Sequence, residues 1–283
     1  MHLTTWVGTM IASSLFAFQA PQSNQPPDTP SSTPGETPAS SPTHESHPPV
    51  TGFLYKTVEI DQRSFAYCAY VPPQYSPERA WPAILFLHGS GERGRDGFLQ
   101  TDVGIARAIR RNHRVCPAIV VMPQCPANRR WDDGMLDMAV RCLEDASHEY
   151  RFNPDRIYLT GLSLGGAGTW RLASRMPDAF AAIVPICGFW GRPDLPADPE
   201  ALQALAARLS QLPIWCFHGT ADKAVSVQRS QEIVAAVQSA GGQIKYTEYP
   251  DAGHNAWDRA YGSPALWHWL LGHSRTPRTE QAP

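Results

Sequence analysis

The sequence predicts an α/β fold, a single domain with a mostly parallel central sheet and helices on both faces. The first observation is a series of unbroken apolar runs, which suit strands that are covered on both faces. They read WPAILFLHG, PAIVVMPQ, RIYLTG, AAIVPICG, LPIWCFHG and QIKYTEYP. The second observation is that a helix-like segment lies between each run and the next, and this alternation favours an open sheet wrapped by helices. The predicted helices cover residues 101–111, 134–150, 165–176, 199–212, 227–240 and 264–271.

The first 50 residues of the chain divide into two parts. Residues 1–20 hold an apolar stretch that is too short for a membrane-spanning helix but suits the core of a signal peptide. Residues 21–50 are rich in Pro, Ser and Thr and nearly free of large apolar side chains, which predicts a disordered linker. We therefore expect a secreted or periplasmic protein, with no stable membrane insertion after processing.

The domain itself is expected over residues 51–273, followed by a flexible tail over residues 274–283. It opens with GFLYKTVEIDQRSFAYCAYVPP, which alternates as a pair of antiparallel strands does. In a sheet of this class the residues just past the carboxyl ends of the strands line the ligand crevice. Those positions are where functional residues should be sought.

Composition excludes several classes of function. The formal net charge is only −2, which gives no reason to expect nucleic acid or an anionic membrane surface as a partner. The six cysteines include no Cys-x-x-Cys pair and no zinc-like spacing, so we predict neither a metal nor a cofactor. Export would permit disulfides, and the redox state of the cysteines stays open.

A nucleophile candidate lies in YLTGLSLGGAGTW, residues 158–170. Here a strand-like run, a Gly-x-Ser-x-Gly turn and a helix follow one another, which is the context of a nucleophile elbow. On so sharp a turn the serine takes a strained backbone conformation, and side chains two residues away would collide with it. Ser163 is therefore the predicted nucleophile.

Serine needs a base that an acid holds in place. Of ten histidines, His254 lies in the loop after the last strand-like run, where hydrolases built on this turn carry their base. His88 and His218 each precede a glycine at a strand end, where shaping the turn is the simpler role. His254 is the predicted base.

The acid is expected between serine and base in chain order. Asp222 lies in the loop after LPIWCFHG and could accept a hydrogen bond from the imidazole. Asp251 and Asp258 are the alternatives. Asp251 is so close to His254 that it is better suited to shaping its own turn, and Asp258 lies near a helix start, where it could be a cap.

The segment FLHGSGERGRDG, residues 86–97, supplies the fourth strand end. Acyl transfer requires backbone N–H groups aimed at the oxyanion that develops on the substrate. Ser90 is the predicted donor from this loop, and Leu164, directly after the nucleophile, is the second. Glu92 and Arg93 are expected to form an ion pair that holds the loop.

Together these segments resemble the α/β-hydrolase superfamily over about residues 51–271. Within it, the chain looks like the small secreted carboxylesterases related to phospholipase/carboxylesterases and to polyhydroxybutyrate depolymerases and feruloyl esterases. This branch is also labelled prolyl-oligopeptidase-like predicted peptidases. It rests on LHGSGERGRD, PQCP, GLSLGGAGTW, PICG, HGTAD and AGHNAWDRAY. The resemblance implies the same nucleophile, base, acid and oxyanion donors.

Aromatic residues near these segments are candidates for substrate binding. Trp131, Trp190 and Trp257 could line a pocket, as could Phe189, although each could equally cover the core. The segment between Gly191 and Leu212 is too short for a large lid, so an open site is expected.

The sequence therefore predicts a secreted serine hydrolase that cleaves carboxylic esters through an acyl-enzyme. The ester could be a small soluble one, a feruloyl or acetyl group on plant polysaccharide, or a polyester. Peptide hydrolysis is the enzymatic alternative, and a non-catalytic glycan-binding protein on the same fold is the alternative from another class.

Overall fold

The computed structural model describes residues 49–275, and this part of the chain alternates strands and helices. The predicted signal peptide, nearly all of the predicted linker and most of the predicted tail lie outside these residues. The described strands are β1 (Gly52–Ile60), β2 (Arg63–Val71), β3 (Trp81–Leu87), β4 (Ile119–Pro123), β5 (Phe152–Leu162), β6 (Ala182–Ile186), β7 (Ile214–Gly219) and β8 (Ile244–Tyr249). The described α-helices are α1 (Gly104–Arg111), α2 (Asp133–Glu149), α3 (Leu164–Arg175), α4 (Pro199–Leu209), α5 (Gln228–Ser239), α6 (Trp257–Tyr261) and α7 (Pro264–Leu271).

The strands form one sheet in the order β1-β2-β4-β3-β5-β6-β7-β8. The pairs β1–β2 and β2–β4 are antiparallel, and the other neighbours are parallel. Asp61 and Gln62, with φ of 48° and 60°, join β1 to β2 as the two central residues of a tight hairpin turn. The predicted hairpin and the predicted mostly parallel sheet are both confirmed.

Helices cover both faces of the sheet, which explains the unbroken apolar runs. Phe86 and Leu87 are consecutive residues of β3, so their side chains point to opposite faces. A methyl group built on Gly104 of α1 would meet the Phe86 ring at 3.1 Å, and one built on Gly168 of α3 would lie 3.0 Å from Leu87. Both faces of β3 are therefore packed, and all seven of its residues are buried.

Two predicted helices are three residues too long, and one further helix was not predicted. The helix predicted over residues 199–212 ends at Leu209. A 3₁₀ turn over Leu99–Thr101 precedes α1, so the helix begins at Gly104 and not at residue 101. The five-residue helix α6 was not predicted, because one turn and a half is too short to show a helical period. Among the described residues, no helix combines the length and apolar composition that a membrane crossing requires.

Candidate active site

Ser163 stands on a strained turn between β5 and α3. Its φ of 55° and ψ of −117° lie outside the regions that non-glycine residues ordinarily occupy. A methyl group on Gly161 would lie 2.4 Å from the Gly165 carbonyl oxygen, and one on Gly165 only 1.9 Å from the Leu87 carbonyl oxygen. Both glycines are therefore required, because the turn presses the start of α3 against the neighbouring strand.

His254, in the loop between β8 and α6, lies within hydrogen-bond distance of Ser163. Its Nε2 is 2.8 Å from Ser163 Oγ, and its Nδ1 is 2.6 Å from Oδ2 of Asp222. The carboxylate can only accept, so the proton of the neutral ring lies on Nδ1 and Nε2 is free to accept the serine proton. About a quarter of the His254 side chain is exposed, at 27 %.

Asp222 follows β7 and its side chain is fully buried. Burial alone would raise the pKa of this carboxyl, but hydrogen bonds from His218, His254 and the N–H groups of Val225 and Ala224 outweigh it and hold the pKa well below its ordinary value. The two backbone bonds reach Oδ1 at 2.9 Å and 2.8 Å. The group is therefore an anion at neutral pH although water cannot reach it.

The two alternative acids lie elsewhere. Asp251 is exposed, and its backbone N–H binds the Thr220 hydroxyl at 3.0 Å. Asp258 lies in the first turn of α6 and pairs with Arg107 at 3.5 Å. Among the described residues, neither of these carboxylates makes a hydrogen bond or ion pair with His254.

His218 is a neighbour of Asp222 that sequence reasoning did not connect to it. Its Nε2 is 3.1 Å from Asp222 Oδ2 and 2.9 Å from the Val225 carbonyl oxygen, while Nδ1 is 2.7 Å from the Ser230 hydroxyl. The ring is completely buried. The spacing His-Gly-x-x-Asp was the available signal, since it puts the acid one short turn after the histidine.

One group of described residues has metal-ligand chemistry, namely Cys187, His218 and Asp222, whose ligand atoms lie within 4.8 Å of one another. Each is already committed to a hydrogen bond, and the Cys187 thiol donates to the His254 carbonyl oxygen at 3.3 Å. Burial raises the pKa of that thiol, so it is protonated at neutral pH. The group therefore fits a hydrogen-bonded network and does not fit a metal site.

The loop after β3 passes directly beside the serine. A methyl group on Gly89 would lie 3.6 Å from Ser163 Cβ. Ser90 follows in an exposed position, and Leu164 is the first residue of α3. The backbone N–H groups of these two residues donate to no acceptor in the described part of the chain. Both are therefore free to donate to a bound molecule.

His88 fixes the position of that loop through hydrogen bonds at both of its ring nitrogens. Its Nε2 accepts from the Cys125 N–H at 2.9 Å, so the ring proton lies on Nδ1, which donates to the Gly89 carbonyl oxygen at 2.6 Å. The C=O and N–H of a trans peptide point in opposite directions. Anchoring the Gly89 carbonyl therefore also fixes the direction of the Ser90 N–H. Burial lowers the pKa of His88 to about 4 and keeps the ring neutral.

The expected ion pair between Glu92 and Arg93 is wrong for the described residues. Arg93 instead donates to two carbonyl oxygens, that of Ser90 at 2.8 Å and that of Arg129 at 3.2 Å. The guanidinium is a planar group of several donors and serves to tie two loops together. Glu92 is half-buried without such a partner, and burial raises its pKa.

The three tryptophans predicted to bind substrate differ in their surroundings. Trp131 is only 2 % exposed and donates its indole N–H to the His88 carbonyl oxygen at 2.9 Å, so its ring lies under the loop and not on a pocket wall. Trp257 is half-buried, with its ring 5.1 Å from that of His254. Trp190 is also half-buried and follows Phe189, which belongs to a small buried cluster that Leu164 packs against.

Comparison with known proteins gives one family and several related folds. The profile of the Esterase family, described as "Putative esterase", matches residues 62–262. A structure titled as a thermostable esterase is 32% identical, with a TM-score of 0.68, over 79% of this chain and 63% of its own. A ferulic acid esterase from Anaeromyces mucronatus, solved with ferulic acid, is 14% identical with a TM-score of 0.60, over 82% of this chain and 93% of its own. That likeness shows the α/β-hydrolase fold alone.

An uncharacterized secreted protein of Arthroderma benhamiae is 25% identical over 198 residues, 61% of this chain but 21% of that protein. This chain thus spans about a fifth of that relative and less than two thirds of the thermostable esterase.

Proposed function

The chain belongs to the Esterase family, and on that premise we propose that it hydrolyses carboxylic esters, with Ser163 as nucleophile, His254 as base and Asp222 as acid. The observation that carries this proposal is the continuous hydrogen-bonded chain from Ser163 Oγ through His254 to Asp222, at 2.8 Å and 2.6 Å. Such a relay makes a serine hydroxyl nucleophilic at neutral pH.

The reaction follows from which atoms can give or take a proton. As Ser163 Oγ attacks the ester carbonyl, His254 Nε2 takes the hydroxyl proton, and the ionised Asp222 stabilises the imidazolium that forms. The N–H groups of Ser90 and Leu164 donate to the oxyanion of the tetrahedral intermediate. His254 then returns the proton to the leaving alcohol, which departs and leaves an acyl-enzyme. Water repeats the sequence on the acyl group and releases the acid and free Ser163.

The surroundings of Ser163 support a substrate that enters from an open side. The segment from residue 191 to α4 is a short loop, consistent with the predicted absence of a large lid. Half-buried Trp257, whose ring lies 5.1 Å from that of His254, and half-buried Trp190 are the proposed contacts of the ester, while buried Trp131 lies outside the pocket. Among the candidate acyl groups, the fold shared with a ferulic acid esterase makes an aromatic acyl group the first to test.

The test is a substrate panel on the purified chain. It includes p-nitrophenyl esters of increasing acyl length, feruloylated arabinose, an aliphatic polyester film and aminoacyl p-nitroanilides. We expect turnover of esters and none of anilides. Turnover of anilides without turnover of any ester would replace esterase by peptidase, and binding of a glycan without turnover would favour the non-catalytic alternative.

Serine variants supply the control for that panel. Ser163→Ala is expected to lower kcat by several orders of magnitude, because nucleophile, base and acid act as a unit. Ser147→Ala removes a hydroxyl on α2 whose one hydrogen bond in the described part of the chain is to the Glu144 carbonyl oxygen, and it should leave turnover unchanged. Equal turnover in the two variants would refute the assigned nucleophile.

We also propose that the protein is secreted. The apolar stretch in residues 1–20 and the secreted relative from Arthroderma benhamiae both support it. Expression of the full chain followed by N-terminal sequencing of protein outside the cytoplasm tests it, and an uncleaved chain found only in the cytoplasm would count against export.

A further inference from the structure

Oδ2 of Asp222 has two imidazole neighbours, and the proposed mechanism uses only one of them. His254 Nδ1 lies at 2.6 Å and His218 Nε2 at 3.1 Å from this oxygen. The side chains of both Asp222 and His218 are fully buried, so no water competes for either. Hydrogen bonds to a buried anion are among the stronger ones in proteins.

The partners of His218 determine where its proton lies. Nε2 faces a carboxylate oxygen and the Val225 carbonyl oxygen, and neither of these can donate. Nε2 must therefore carry the proton. On the other side of the ring, the Ser230 hydroxyl at 2.7 Å supplies a donor for the bare Nδ1 of a neutral ring. All three polar contacts of the ring are then satisfied.

We infer that His218 is a positioning residue that holds the Asp222 carboxylate in the orientation required by His254. This inference rests on the proposed function of the same site. The N–H groups of Ala224 and Val225 both bind Oδ1, so they leave Oδ2 to the two histidines. Without His218, the only side chain of residues 49–275 that still binds Oδ2 is His254, the residue that Oδ2 itself has to orient.

Two substitutions separate positioning from mere filling of the core. His218→Leu keeps much of the volume but removes the donor, and it is expected to lower kcat about 10- to 100-fold with KM changed less than about threefold. His218→Gln offers an amide with two hydrogens, one for Asp222 and one for Val225, and it should restore most of kcat. A Leu variant that folds and keeps wild-type kcat would overturn the inference.

A spectroscopic measurement reads the same contact without any substrate. The proton between His254 Nδ1 and Asp222 should give a low-field ¹H NMR signal, and His218→Leu should shift or broaden it while His218→Gln retains it. Exposed His148, at the end of α2, provides the matched control, because His148→Gln should leave the signal in place. An unchanged signal in a folded His218→Leu variant would overturn the inference.

The tautomer of His218 in the wild-type chain gives a test that needs no variant to fold. Histidine labelled with ¹⁵N should show His218 with the proton on Nε2. A bare Nε2 could not donate to Asp222 and would overturn the inference. This readout also separates the two proposals. If the chain hydrolyses no ester, the proposed function fails while the tautomer still decides the role of His218.

Discussion

Two parts of this molecule share a short pattern and use it in opposite ways. His88-Gly89 ends the run of β3 and His218-Gly219 ends β7, and in each case an acid follows four residues after the histidine, Glu92 and Asp222. Both rings are completely buried. Yet His218 Nε2 is 3.1 Å from its acid, whereas His88 Nδ1 is 4.0 Å from Glu92.

The difference comes from what the rest of the chain brings to each ring. Beside His88, the backbone N–H of Cys125 after β4 presents a donor to Nε2, which forces the proton to Nδ1. Beside His218, two acceptors face Nε2 and draw the proton there. One histidine therefore holds a peptide of the proposed oxyanion loop, and the other holds the proposed acid. A strand-end pattern locates a functional region, but its neighbours decide the role.

The largest expected effect is the difference in kcat between substitutions of the two acids, Asp222 and Glu92. Asp222→Asn should lower kcat by about three to four orders of magnitude, because an amide would present a donor or a weaker acceptor to His254 and favour the wrong tautomer. Glu92→Gln should lower kcat by less than about tenfold, since Glu92 makes no hydrogen bond to either histidine among the described contacts. Ester turnover of both variants measures this, and similar losses would remove the distinction.

The next effect concerns stability and follows from the lowered pKa of His88, about 4. An unfolded histidine has a pKa near 6.5, so between pH 6.5 and 4 the unfolded state binds more protons and the free energy of unfolding falls with falling pH. The expected loss across this window is about 3 kcal/mol. His88→Asn should flatten that part of the curve.

Denaturant unfolding between pH 7 and pH 4 checks this prediction. Asp222 acts in the same direction at lower pH. Because its pKa is lower in the folded state than in the unfolded state, it stabilises the folded state above the ordinary pKa of a carboxyl group. This contribution is lost as Asp222 protonates. A wild-type curve as flat as that of His88→Asn would contradict the neutral, buried assignment of His88.

Opposite tautomers predict opposite rescue. Asn presents an amide near the Nδ1 position of a histidine and Gln near the Nε2 position. His88→Asn should therefore keep more turnover than His88→Gln, and His218→Gln more than His218→Asn, with differences of about 10- to 100-fold in kcat. The four variants are compared on one ester. The same preferred amide at both positions would show that the two rings do not differ as described.

The smallest effects come from the outer partners of the two histidines, one bound to the ring of His218 and one to the backbone of His88. Ser230→Ala removes the hydroxyl 2.7 Å from His218, and Trp131→Phe removes the indole N–H that binds the His88 carbonyl oxygen. Each should lower kcat by about two- to fivefold, because the ring keeps the contact that faces the site. A loss above about a hundredfold in either would show that the outer partner, and not the histidine, controls the position.

Much of the fold could be predicted because apolar runs and their spacing carry it. Strands buried on both faces show unbroken apolar sequence, and the strained turn at Ser163 requires glycines that the sequence displays. His254 and Asp222 could be placed because parallel strands end at one edge of the sheet. These signals are local, so one sequence suffices to read them.

The rest depended on contacts between distant segments. The pairing of Arg93 with carbonyl oxygens, the burial of Trp131 and the proton positions on His88 and His218 all depend on loops that meet only in the folded chain. The Cys125 N–H, for example, comes from 37 residues beyond His88. No spacing rule reports whether such a neighbour donates or accepts a hydrogen bond.

Covalent labelling with a fluorophosphonate tests the central claim most directly, because an activated serine hydroxyl displaces fluoride from phosphorus and keeps the phosphonyl group. Intact-mass and peptide mass spectrometry should find one adduct per chain, on Ser163, and none on Ser163→Ala. His254→Ala should react far more slowly. Ester turnover with no adduct at Ser163, or with the adduct on another residue, would contradict the account.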